Sequence, residues 1–397
     1  MSKFMRDPDL EQLVRQLNDG GSAMETPEGS ELLTGSGSYD PAERELLDRW
    51  LGRMLRENAT DLHLVAGGPA VMRINGAIRF VDDAPVGESQ IRALVPGVQN
   101  LAQELASRGS IDLGLSASVD DEQKRGFRFR VNIHRQRGLL AASIRVLPTR
   151  IPTLAQLQLP ASLAELTKPS RGLVLVCGPT GCGKSSTLAA LVDEINGRDA
   201  RHIITIEDPL EYDHPNRKSL VEQIEIGKDA PTFASALRSA LRQDPDVILV
   251  GEIRDAETMS MALTAAETGH LILSTLHTTS PAQTIHRIVD LFPSTQQTQI
   301  YKQAALSLNA ILNQKLIPRA DGRGVVPAVE LLLANHAVRN QIRNAKLEGL
   351  ANEMVLGKRS GMITFDDSLR ELAAKKLIAP DEAIARSNDP DDFRRMI

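Results

Sequence analysis

Leu173-Val174-Leu175-Val176-Cys177-Gly178-Pro179-Thr180-Gly181-Cys182-Gly183-Lys184-Ser185 is the stretch that decides the fold class. Its first five residues are apolar without alternation, the pattern of a strand buried on both faces in a parallel sheet. Gly178 to Ser185 match G-x-x-x-x-G-K-S, and Ser185 to Ile195 continue with helical periodicity. Strand, glycine-rich loop and helix in that order separate a phosphate-binding loop from a glycine-rich turn with a chance lysine. The residue types explain the chemistry. Glycines let backbone N–H groups curl around phosphate oxygens, and the helix N-terminus adds positive partial charge. Lys184 brings a full charge to the β- and γ-phosphates, and the Ser185 hydroxyl is a magnesium ligand. Gly178, Pro179, Thr180, Gly181, Cys182, Gly183, Lys184, Ser185 and Ser186 are therefore expected to bind ATP with Mg2+, and the chain is expected to hydrolyse it.

Downstream, short apolar runs recur at Ile203–Ile206, Val247–Val250 and Leu271–Leu276 with helical stretches between them. That alternation predicts an α/β core with a parallel sheet over residues 166–334, followed by a mostly helical region, 335–397. In such a sheet the C-terminal strand ends face the ligand crevice. Glu207, in Thr205-Ile206-Glu207-Asp208-Pro209-Leu210-Glu211, and Glu252, after Val247-Ile248-Leu249-Val250-Gly251, both stand at such ends. A carboxylate there can reach magnesium or position and deprotonate the attacking water; the plainer alternative is a solvated loop carboxylate. Gly251 occupies the place where many P-loop enzymes have an aspartate, which shifts the metal onto Ser185 and the acidic 207–211 segment, Glu207 above all. His277 ends the run 271–276 on the same side, and position alone fits a γ-phosphate sensor or a packed structural histidine equally. Arg130, Arg145, Arg238, Arg242 and Arg254 are candidates to neutralise transition-state charge, each against the alternative of an ordinary salt bridge.

Upstream, residues 1–40 hold one amphipathic stretch, Leu10, Leu13, Val14 and Leu17, then a Gly/Ser/Thr/Glu-rich segment, and read as a flexible extension. Asp40-Pro41-Ala42-Glu43 is a helix start, with Leu47, Trp50, Leu51, Met54 and Leu55 on one apolar face. Residues 61–64, 71–74, 77–81, 127–131 and 142–146 alternate like strands, and Asn75-Gly76 is a hairpin signal. Residues 41–147 thus form a small α+β domain, and the proline-punctuated 148–165 a linker. Formal net charge is -5 and aromatics make up 3% of the 397 residues, which disfavours a nucleic-acid binder built on basic stripes and stacking rings. No apolar run approaches the roughly 18 residues of a membrane span, and the charged start, Met1 to Asp9, lacks a signal-peptide core, so a cytoplasmic protein without an integral membrane segment is expected. The two cysteines, Cys177 and Cys182, cannot make a four-Cys zinc site.

Several segments together resemble the secretion ATPases: Glu207-Asp208-Pro209-Leu210-Glu211, Val250-Gly251-Glu252-Ile253-Arg254-Asp255, and Thr268-Gly269-His270 through His277-Thr278-Thr279. Gly251-Glu252 is similar to that family's atypical Walker B ending. The likeness is greatest to the PilT pilus retraction ATPases. Thr60-Asp61-Leu62-His63-Leu64 matches an N-terminal signature of that branch. Ala337-Val338-Arg339-Asn340-Gln341-Ile342-Arg343 resembles its AIRNLIRE motif with Gln341 for Leu, and Gly361-Met362-Ile363-Thr364-Phe365-Asp366 its GMQTFD stretch with Ile363 for Gln. The resemblance spans 41–397. It implies a PAS-like N-terminal domain, a RecA-like P-loop NTPase domain and a homo-hexameric ring docked, peripherally, on an inner-membrane pilus platform protein. It makes Glu252 the catalytic glutamate, assigns His277 to the family's His box, and places Arg130 and Arg145 at the matching positions of site-completing arginines. The absence of the four-Cys zinc motif usual in extension ATPases points to retraction. A motor of a type IV or type II secretion system is the alternative, and a hexameric nucleic-acid translocase the rival of another class.

Overall fold

The computed structural model of the chain describes residues 41–74, 76–95, 100–118, 126–148 and 150–396. The amphipathic stretch at 10–17, the Asp40 cap and the Asn75 half of the hairpin signal lie outside these residues.

Helix α1 (Pro41–Arg56) precedes three strands, β1 (Ala59–Val65), β2 (Pro69–Ile74) and β3 (Ala77–Pro85). Helices α2 (Glu88–Arg92) and α3 (Leu101–Arg108) lead to β4 (Ser110–Ser118), β5 (Gly126–Gln136) and β6 (Leu139–Val146). The strands form an antiparallel sheet in the order β3-β2-β1-β6-β5-β4. Period-two alternation sends Leu62, Leu64, Met72, Val131, Ile133 and Ile144 to one face, where Leu47, Trp50, Leu51 and Met54 of α1 cover them. The other face is polar. An in-register row crosses it strand by strand: Arg73, Asp61, Arg145, Arg130 and Gly114.

After a 3-10 helix, Ala161–Thr167, the second sheet begins with β7 (Gly172–Cys177), and α4 (Lys184–Arg198) follows the phosphate loop. Then come β8 (His202–Glu207), β9 (Leu220–Glu225), α5 (Phe233–Ala240), β10 (Val247–Val250), α6 (Ala256–Thr268), β11 (Leu271–Leu276), α7 (Pro281–Asp290), α8 (Ser294–Ser307), β12 (Leu308–Pro318) and β13 (Val325–Leu333). The sheet order is β13-β12-β7-β11-β10-β8-β9. Six of these strands run parallel, but β13 is antiparallel to β12, so the sheet is mixed rather than wholly parallel. Strands β9, β12 and β13 escaped the reading of apolar runs for physical reasons. Edge strand β9, Leu-Val-Glu-Gln-Ile-Glu, is half exposed, and β12 is interrupted by Asn309, Asn313, Gln314 and Lys315.

Successive residues of the central strands enter opposite cores. Leu173, Leu175 and Cys177 pack with Met259 and Leu263 of α6 and Ile285 of α7; Val174 and Val176 pack with Leu188, Leu191 and Ile195 of α4. Both faces are covered, which is why these strands read as unbroken apolar runs. The chain ends in α9 (His336–Arg343), α10 (Leu350–Leu356), α11 (Phe365–Ala374), α12 (Pro380–Arg386) and α13 (Pro390–Met396). The two C-terminal motifs are structural here. Arg339 donates to the carbonyls of Ala305, Leu306 and Ala334, satisfying the exposed end of α8. Thr364 caps α11 through the Asp367 amide, and Phe365 fills a core with Ile317 and Val326.

Candidate nucleotide site

The phosphate loop folds as a tight cup because one side chain from elsewhere holds it by two hydrogen bonds. Gln314 of β12, almost wholly buried, donates from Nε2 to the Cys182 carbonyl at 2.6 Å and accepts from Thr187 Oγ1 at 2.9 Å. A Cβ at Gly178 would stand 2.3 Å from the Gln314 carbonyl oxygen and 2.6 Å from Cys182 Sγ, so only glycine fits there. Among the described helices, α5, α6, α7, α9 and α11 have a side chain accepting an N-terminal amide. The N-terminus of α4, after Gly183, has none. Its first amides and partial positive charge face the loop, a ready anion cradle.

Lys184, Glu252 and His277, named from separate segments of sequence, are brought together. Lys184 is buried, and Nζ donates to the carbonyls of Gly178 at 2.9 Å and Pro179 at 3.0 Å. Nζ also lies 3.4 Å from His277 Nδ1. An ammonium can only donate, so Nδ1 accepts and the ring proton sits on Nε2. Nε2 is 3.9 Å from Glu252 Oε2, and Glu252 Oε1 is 2.5 Å from Arg254 Nη2. Burial and the charges of Lys184 and Arg254 push His277 below the ordinary imidazole range, against a smaller upward pull from Glu252. The ring is therefore neutral at neutral pH, a relay between a fixed cation and a carboxylate. The segment after His277 is pinned: Thr278 Oγ1 bonds Thr284 Oγ1 at 2.7 Å, and Asn313 Nδ2 donates to the Thr278 carbonyl at 3.2 Å.

Glu207 closes the other side. Ser185, Leu188, Ala189, Glu207, Tyr212, His214, Leu249 and Gly251 line one cavity of about 30 Å3. Burial, aided by repulsion from Glu211, pushes the Glu207 carboxyl up to about 7, while hydrogen bonds from Thr205 and the Glu211 backbone hold it lower. Gly251 is explained by the same packing. Its amide donates to the Ile206 carbonyl at 2.8 Å. A Cβ there would lie 3.2 Å from that oxygen and 3.5 Å from Glu207 Cα. A side chain at 251 would be tight, and an aspartate would set a second carboxylate beside that of Glu207 on the neighbouring strand. Magnesium prefers a few oxygen ligands and keeps its waters and phosphates. The pair Ser185 and Glu207 on one cavity fits such a phosphate-borne ion. Among the described residues, no group of three or more His, Cys, Asp and Glu is gathered for a free-standing metal.

The remaining candidates are dispersed. Ser186 bonds Tyr212 through Oγ at 2.8 Å. Pro179, Thr180 and Gly181 form the exposed lip of the loop. Arg130 lies on the first sheet's polar face, 3.7 Å from Asp112. Burial and then Glu252 push the Asp208 carboxyl up, against smaller downward pulls from Arg254 and Arg130. Arg145 is tied to Asp61 at 2.8 Å, and among the described residues no hydrogen bond or ion pair joins it to the loop. Arg238 pairs with Glu257. Cys177 and Cys182 are free thiols, both pushed up by burial. Gln314 and Tyr212 are the residues sequence reasoning missed. A buried-strand glutamine has no motif, and the carbonyl it holds lies 132 residues away in sequence.

Comparison with known proteins places the chain. The family described as Type II/IV secretion system protein matches residues 38–349. The type IV pilus retractation ATPase PilT of Pseudomonas aeruginosa is 41% identical over 338 residues, 85% of this chain and 97% of that one. A twitching motility protein of Neisseria gonorrhoeae is 41% identical over 323 residues, 81% of this chain and 85% of that one. The solved structure of the pilus retraction motor PilT with bound ADP superposes with a TM-score of 0.79 at 42% identity, covering 88% of this chain and 99% of that one.

Proposed function

The chain belongs to the Type II/IV secretion system protein family, and from that premise we propose that it is a hexameric ATPase motor that turns ATP hydrolysis into type IV pilus retraction. The observation that carries the reading is the contact chain Lys184, His277, Glu252 and Arg254 at the mouth of the phosphate loop. In it, the loop amides and Lys184 hold the β- and γ-phosphates. Glu252 orients the attacking water and takes up its proton. Neutral His277 passes the presence of the γ-phosphate, felt at Lys184, to Glu252. Ser185 and Glu207 hold the magnesium ion, which supplies charge neutralisation at the phosphates when bound. Arg130 reaches the site from the first sheet, and Arg145 acts on the site of a neighbouring subunit. Rotation of one sheet's body against the other as nucleotide binds and leaves would be the working stroke.

Retraction is favoured by the relatives named for retraction and twitching. The ring would work in the cytoplasm against an inner-membrane platform protein; no helix among the described residues is long and apolar enough to cross a membrane. Service in a type II or type IV secretion system is the second reading, favoured by the breadth of the family description. Deleting the gene and counting surface pili tests the proposal. Retraction gives excess pili and lost twitching; bald cells would assign extension, and unchanged pili with failed secretion would assign the second reading.

A further inference from the structure

Arg128 and Arg130 stand two residues apart on β5 and so share the polar face of the first sheet. That face meets the edge of the second sheet, and the join is specific. Arg128 Nη2 is ion-paired with Glu225, the last residue of β9, whose side chain is only 5% exposed. Glu225 is tied in turn to the site. It is in register with Glu207 on β8. The following amide, of Ile226, donates to the Glu207 carbonyl at 2.9 Å, and Asp229 Oδ2 accepts from the Glu225 amide at 2.9 Å. Gly114, opposite Arg130 on β4, makes the gap for the pair. A Cβ there would be 3.1 Å from both Arg128 Nη2 and Glu225 Oε1.

Exposed ion pairs seldom fix geometry, because both side chains are free to leave. Here the carboxylate is withdrawn from water, so losing its partner strands a buried charge. The contact joins two sheets with separate cores. Its neighbour on β5, Arg130, shares the face that meets β9, and β9 pairs with the strand that carries Glu207.

We propose that Arg128 is a positioning residue for nucleotide hydrolysis: by clasping Glu225 it fixes the first sheet on the strand that carries Glu207 and Asp208, and so holds Arg130 at the phosphate side of the site. This rests on the reading of the site as an ATPase centre that includes Arg130. Half-buried Arg130 is held, among the described residues, only by a loose ion pair with Asp112 at 3.7 Å, so its placement depends on the register that Arg128 sets.

The test uses the purified full-length chain. Arg128→Gln, Arg128→Lys, Glu225→Gln and the exchange Arg128→Glu with Glu225→Arg are assayed for kcat, KM for ATP, fluorescent-ADP affinity and thermal unfolding, alone and with Arg130→Ala. Misplacement of a reacting group by about 1 Å can cost ~100-fold, so a fall in kcat of roughly 10- to 100-fold is expected for Arg128→Gln and Glu225→Gln, with KM and ADP affinity unchanged. Arg128→Lys and the exchange should each recover part of it. In the Arg130→Ala background Arg128→Gln should cost nothing further, because the two act through one group. An unchanged kcat with only a lower unfolding temperature overturns the proposal, as does an equal loss in the Arg130→Ala background. Hydrogen exchange reads the clasp without turnover: β4 and β5 should exchange faster in Arg128→Gln while β7 stays protected, and unaltered exchange overturns it. If the wild-type chain fails to hydrolyse ATP while Arg128→Gln still shows this exchange pattern, the ATPase reading is refuted and the clasp stands as a hinge contact.

Discussion

Replacing Gly251 by aspartate gives this chain the residue that many P-loop enzymes carry at that position, and it should nearly abolish activity. A Cβ at 251 would lie 3.7 Å from Glu207 Cγ, besides its contacts to Ile206 O and Glu207 Cα. The two carboxylates would then sit roughly 5 Å apart, where an effective dielectric of about 20 gives a repulsion of about 3 kcal/mol. That is roughly two further pKa units on a carboxyl already pushed up to about 7 by burial. Glu207 would stay protonated at working pH, and the site would lose the ligand it has without gaining a well-placed one. If all of that energy is withdrawn from the transition state, kcat falls about 100-fold. Phosphate release at saturating ATP, with magnesium titrated at several pH values, reads the effect. Gly251→Ala separates crowding from charge and should keep activity within about tenfold. Adding Glu207→Gln to Gly251→Asp should return part of the loss. Wild-type turnover by Gly251→Asp at wild-type magnesium demand would refute the argument that Glu207 replaces the missing aspartate.

Other outcomes follow from the same geometry. Lys184→Ala should abolish turnover with the fold intact, checked by phosphate release and thermal unfolding. Gln314→Leu strands the buried Cys182 carbonyl, a cost of ~1–3 kcal/mol; Thr187 keeps its bond to the Gly183 carbonyl at 3.1 Å. Fluorescent-ADP titration should show affinity weakened about tenfold. Glu330 is pushed up to about 7, first by burial and then by Asp366, against Lys315. It holds its proton more tightly folded than unfolded, so its contribution is full below about pH 4.5 and up to about 3 kcal/mol is lost as pH rises through about 7. Unfolding temperatures of Glu330→Gln should accordingly fall less than wild type between about pH 5 and pH 8. In mixed assemblies, Arg145→Ala subunits should rescue Lys184→Ala subunits if Arg145 acts across the interface; failure of rescue removes that assignment.

The sequence was most legible where burial was most complete. Strands β7, β8, β10 and β11 are covered on both faces and therefore read as unbroken apolar runs. Glu207, Glu252 and His277 were legible because each stops such a run at the ligand side. Strands β9 and β12 were not, since an exposed edge and buried polar groups break the signal. Gln314 shows the general limit: it acts on the loop by a contact 132 residues away in sequence, and no local pattern encodes that. Arg128 was hidden differently. It lies one residue from either core position of β5, and its role comes from a partner, Glu225, on another sheet. Gly251 was noticed as a departure, but its cause, the approach of Ile206 and Glu207, needed the packed neighbour.

The central claim is that Glu252 handles the water in a site that hydrolyses ATP. Its most direct test is steady-state phosphate release by purified wild-type and Glu252→Gln protein, alongside fluorescent-ADP affinity. Wild type should turn over ATP with magnesium. Glu252→Gln should bind ADP as wild type does and lose at least ~100-fold in kcat, in the range reported for removal of a general base. Wild-type turnover by Glu252→Gln would contradict the account.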